Sequence, residues 1–115
     1  MPLTMQDREH AFEAKFAHDE AFRFLVSARR DKIFARWAAT KLGLTETAAA
    51  ELVKSVLAIP DRLDHDHAVL ARIAALLADQ GYPAAIAELA TVLGDAAREA
   101  RRQLLEAPIA HPGMA

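Results

Sequence analysis

The sequence predicts an all-α fold, a single-domain four-helix bundle carrying a mobile N-terminal helical arm. Three observations lead there. Ala and Leu dominate an apolar fraction of 53% in which only 6% of residues are aromatic, a balance that favours helices over strands. Gly and Pro fall at a few positions that punctuate the chain into helix-length segments. The first of these, Asp7 to Leu42, holds neither Pro nor Gly, and it is too long for the domain. Residues 5 to 42 as one helix span roughly 57 Å at about 1.5 Å per residue. A compact domain of 115 residues is only roughly 35 Å across.

Within that segment Met5, Phe12 and Phe16 share one helical face, whereas Phe22, Val26, Ile33 and Trp37 share another. Asp19 and Glu20 fall where the first stripe would continue. The segment therefore divides into an arm, residues 1–20, and a core helix that opens the bundle, residues 21–107; one bent helix with both stripes buried is the competing reading.

Gly43 then stands at a helix C′ position with Leu44 to pack back on the last turn, and Thr45 is placed to cap the second helix. Ala49, Leu52, Val53, Val56 and Leu57 form its apolar stripe, which must end before Ile59-Pro60. Asp64 or Asp66 is the expected N-cap of a third helix with Val69, Leu70, Ile73, Leu76 and Leu77 inward, closed by Gly81. Pro83 suits the first turn of a fourth helix carrying Ile86, Leu89, Leu93, Ala97, Ala100 and Leu104. Residues 108–115 read as a disordered tail.

Charge is uneven beneath a net −2. Residues 1–20 set Asp7, Glu9, Glu13, Asp19 and Glu20 against Arg8 and Lys15, whereas residues 21–42 set six cations against Asp31 alone. An acidic arm thus precedes a basic helix. On that helix Arg29 and Arg30 flank the apolar stripe, where a guanidinium can pack its stem and offer its fork to an anion.

The ordered residues of this region resemble a known family. Asp7-Arg8-Glu9, Ala11 to Asp19, Ala28-Arg29-Arg30, Trp37-Ala38-Ala39 and Lys41 to Thr45 are similar to the zeta subunit of alphaproteobacterial F-type ATP synthases, densely so over residues 5–45. The resemblance implies a four-helix bundle whose N-terminal segment inhibits ATP hydrolysis by the F1 sector, entering a catalytic α/β interface beside the γ subunit. Its matched arm positions here are Asp7, Arg8, Glu9, Phe12, Glu13, Lys15 and Phe16. It also implies an adenine-nucleotide site, ADP or ATP as a regulatory ligand with no cofactor required. Arg29, Arg30 and Trp37 are the expected nucleotide-binding residues, two forks for phosphate and a ring for adenine. Met5-Gln6-Asp7 replaces the family's aromatic and acids, His10 replaces a basic residue, and Phe24-Leu25-Val26-Ser27 is more apolar than is usual.

Other classes find less support. The chain has no Gly-rich phosphate loop, nucleophile elbow or paired carboxylate-histidine motif, so no catalytic residue is expected. No metal site is expected either: Asp64-His65-Asp66-His67 lacks a second ligand motif, and capping accounts for its acids. The texture of Ala38 to Val53 resembles a helix-turn-helix, but a pI near 6.2 and an Ala- and Glu-bearing second helix lack the footprint of nucleic-acid binding. A helical adaptor or homodimer is the remaining alternative. Zero Cys and short apolar runs make a cytoplasmic protein the expectation, without direct membrane insertion and peripheral to the inner membrane when bound to F1. His10 or His18 is the expected place for pH sensitivity.

Overall fold

The computed structural model describes the backbone of residues 5–106, with the side chains of Met5 and of residues 19–106. Four helices follow in order, α1 (Met5–Leu42), α2 (Glu46–Leu57), α3 (His65–Asp79) and α4 (Ile86–Glu106), and there is no strand among the described residues. The expected all-α, four-helix class is what the chain adopts. The arm's side chains up to residue 18 and the 108–115 tail lie outside the described residues. The α1 backbone is helical throughout, with no break near residue 20.

Each helix gives four apolar residues to one core: Phe34, Ala35, Ala38 and Ala39; Ala49, Leu52, Val53 and Val56; Val69, Leu70, Ile73 and Leu77; Leu89, Leu93, Ala96 and Ala100. All four sets keep the spacing of a single helical face. α1 packs mainly on α2 and α4, α3 packs on α4, and α1 meets α3 across the bundle. The stripe expected on α1 is rotated from the one found. Phe22, Val26, Ile33 and Trp37 are half-buried at its edge, while the centre is held by Phe34 with three alanines. Alanines carry little apolar area of their own, but they let neighbouring helices approach closely, so α1 buries backbone where bulk alone would place its aromatics. Leu57 and Ile86, expected inward, are exposed at helix ends.

The helix ends carry the signals read from sequence. Gly43 takes φ +65°, which frees Leu44 N–H to donate to Ala39 O at 3.0 Å and Gly43 N–H to Thr40 O at 3.1 Å. This is a Schellman closure. Gly81, at φ +85°, closes α3 in the same way through Tyr82 N–H to Leu77 O. Thr45 Oγ1 accepts from Ala48 N–H at 3.1 Å and caps α2. The start of α3 differs from expectation. Asp64 occupies the N-cap position but makes no side-chain cap bond, and Asp66 lies inside the first turn, engaged elsewhere. Pro83 lies outside α4, whose first helical bond runs from Leu89 N–H to Ala85 O.

Candidate functional site

Asp31 is the one buried charged residue among those described, 2% exposed on the core side of α1. It falls three and four residues before Phe34 and Ala35, hence on the buried face. A carboxylate in that position must be satisfied from neighbouring elements. Both of its oxygens are. Arg30 Nε donates to Oδ1 at 2.9 Å and His65 Nε2 donates to Oδ2 at 2.7 Å. Arg30 in turn reaches α3, giving Nη2 to Asp66 Oδ1 at 2.8 Å and Nη1 to Asp66 Oδ2 at 3.2 Å, with Ser27 Oγ at 3.4 Å. Arg30, Asp31, His65 and Asp66 thus form one alternating network that fastens α1 to the start of α3.

The other nitrogen of His65, Nδ1, donates to Pro60 O at 3.0 Å. A carbonyl and a carboxylate only accept, so a ring bonded to both carries two protons. Its electrostatics agree. Burial works to lower the basicity of His65 and the Arg30 charge adds to that, but the bond to Asp31, the Pro60 carbonyl and the Asp31 charge prevail and raise its pKa. The bonds from Arg30 hold the Asp66 carboxyl below its usual range, against the opposing effect of burial.

Beside the network lies a cleft of about 320 Å³ between residues 20–31 of α1 and the α2–α3 connection. Phe24, Leu57 and Ile59 form its apolar wall, and Ser27, Asp31 and His65 its polar side. Phe24 is 61% exposed and Leu57 46%.

The three expected nucleotide residues do not converge. Arg29 points to α4, donating to Gln103 Oε1 at 2.9 Å, whereas Arg30 one position later faces α3 with its fork filled by carboxylates. Successive helix residues diverge by about 100°. Trp37, two turns on, stacks nearly parallel on Phe34 with ring centroids 5.9 Å apart, and Lys41 Nζ lies 5.7 Å from its ring centre. The expected arm residues, Asp7 to Phe16, lie outside the described side chains. Sequence reading assigned Asp64 and Asp66 to capping and missed that His65 and Asp66 answer Arg30 and Asp31. The available signal was Asp31 itself, an acid in register with the buried stripe.

No group of three or more residues able to hold a metal ion occurs among the described residues, and no helix among them is long and apolar enough to cross a membrane. Comparison with curated proteins and with solved structures gave no significant match. The family model described as ATPase inhibitor subunit zeta matches residues 2–103, from the arm to the last turns of α4. With nearly the whole four-helix chain so matched, the protein belongs to the ATPase inhibitor subunit zeta family, a regulator of an ATPase rather than an enzyme.

Proposed function

We propose that the chain inhibits ATP hydrolysis by the F1 sector of ATP synthase through residues 1–19, with the bundle serving as the anchor that docks and orients them. The observation that carries this reading is the length of α1 relative to its support. α1 is one 38-residue helix, yet Asp19, Glu20 and Ala21 are exposed and Phe22 is the first half-buried position in the run that follows. Support from α4 extends to that residue, where the Arg101 guanidinium lies 5.8 Å from the Phe22 ring centre. The long dimension of the molecule, 64 Å against 33 and 21 Å, fits a helix continuing past its bundle. An amphipathic segment of this kind lays its apolar side into a groove on a partner. Phe12 and Phe16 are the proposed anchors in a catalytic α/β interface beside γ. Asp7, Arg8, Glu9, Glu13 and Lys15 supply polar contacts around them.

The test is F1 ATP hydrolysis measured with the full chain, with a chain lacking residues 1–19, and with Phe12→Ala/Phe16→Ala. Inhibition by the full chain, and its loss in both variants while their helical circular dichroism persists, is the expected result. Inhibition that survives the deletion refutes the arm as the acting element.

An adenine nucleotide on the bundle is the second part of the proposal, and the charge of residues 21–42 is what supports it. Arg29 is exposed, and a phosphate beside it competes only with Gln103. At Arg30 the same phosphate must displace Asp66. ADP titration followed by amide chemical shifts tests it, and unmoved signals over residues 27–41 dispose of it.

A further inference from the structure

We propose that His65 is a protonation-controlled clasp: its doubly bonded ring fastens the α2–α3 connection to α1, and loss of one ring proton releases the connection and opens the cleft beside Phe24. The geometry leaves little choice. The ring stands between two oxygens that only accept, Asp31 Oδ2 at 2.7 Å and Pro60 O at 3.0 Å. A neutral imidazole has one donor and one lone pair. At these distances it must turn a lone pair on one of the two oxygens, exchanging attraction for repulsion.

The side that yields is the connection. Asp31 sits on a helix packed into the core and is further held by Arg30. The connection, residues 58–64, is exposed at every position except the half-buried Ile59. Short-range bonds tie it together, Arg62 N–H to Pro60 O at 3.0 Å and His65 N–H to Arg62 O at 2.9 Å. Pro60 O accepts from both His65 and Arg62, so the ring also steadies that turn. Ile59 and Asp61 line the cleft, and their displacement widens it.

The charges around the ring set the direction of the response. From α1, Asp31 favours the protonated ring and Arg30 opposes it. Glu20 and Arg23, opposite in sign, line the same cleft from that helix. The connection contributes Asp61, α2 contributes only the apolar Leu57, and α3 contributes Asp66, itself paired to Arg30. The clasp is therefore closed in acid and opens as pH rises through the raised His65 pKa.

Two measurements on the full chain test this. The first follows the side-chain nitrogens of His65 by two-dimensional NMR between pH 5 and 10, assigned by comparison with His65→Gln. Two protonated nitrogens at pH 5 and a midpoint above the ordinary value of about 6.5 are expected. The second follows amide exchange of Arg62 and His65, whose N–H groups are bonded within the connection, over the same range, corrected for base catalysis of the intrinsic rate. Protection falling about tenfold through the His65 midpoint is expected, the loss of one charge-assisted hydrogen bond. Protection in His65→Gln is low and flat with pH. A singly protonated ring at pH 5 or a midpoint at or below about 6.5 overturns the proposal, as does a flat profile in the native chain or an unchanged step in His65→Gln.

Discussion

Arg30 grips Asp66 through two near-parallel bonds, 2.8 and 3.2 Å, while its Nε donates to Asp31, so one guanidinium joins an exposed carboxylate to a buried one. The two acids differ in what their removal leaves behind. Asp66 is 63% exposed and solvent can replace it, whereas Asp31 is enclosed and its loss leaves the half-buried His65 ring without a carboxylate and takes one of the two from Arg30. Asp31→Ala is expected to cost about 3–5 kcal/mol of unfolding free energy, the usual penalty for breaking a buried pair. Asp66→Asn should cost about 1 kcal/mol or less. Urea unfolding at pH 6 checks both, and equal losses would contradict the assigned asymmetry.

Phe34 fills the centre of the α1 interface with no exposed surface, and Trp37 stacks on it. Phe34→Ala creates a cavity that three neighbouring alanine positions cannot refill, so about 3–5 kcal/mol should be lost. Trp37 is the chain's sole tryptophan, and its fluorescence should shift to the red as the stack is lost. Phe24→Ala, at an exposed position, is the control and should change stability by less than about 0.5 kcal/mol.

Those two aromatics mark where the sequence was legible and where it was not. Periodicity located the inner faces of α2 and α3 almost residue by residue, because their buried positions are large aliphatics with polar residues opposite. On α1 the aromatics are spread around the helix, and weighting by bulk favoured Trp37 and Ile33 over the Phe34 and alanine face. The charged network was out of reach for a different reason. Arg30 to Asp66 spans 36 residues, and no local pattern declares a pairing set by where two helices cross. Helix ends, by contrast, are local chemistry, and Gly43, Thr45 and Gly81 act where they were read.

Gly43 is therefore a sharp test of local reading. A side chain there meets no neighbour within 4 Å, so any penalty for Gly43→Ala comes from φ +65° alone. About 1 kcal/mol is expected. Thr45→Ala, two residues on, loses the bond to Ala48 N–H and should cost about 1 kcal/mol as well. Thermal unfolding of both variants measures the two effects, and no loss for Gly43→Ala would argue against the left-handed closure.

The pH profile of stability follows from the two shifted groups in the network. The folded state lowers the Asp66 pKa, so its contribution is present above the usual carboxylate value of 3.8 and fades as pH falls through the lowered one. For His65 the folded state raises the pKa. Its contribution is complete below 6.5 and is lost as pH climbs through the raised value. Between these limits both groups contribute fully, which places the plateau at mildly acidic pH. Urea midpoints for the native chain and His65→Gln, taken at pH 5.5, 7 and 9, isolate the histidine. The two should differ most at pH 5.5 and draw together as pH rises to 9, whereas a gap that stays constant across the series would mean that His65 acts through packing rather than charge.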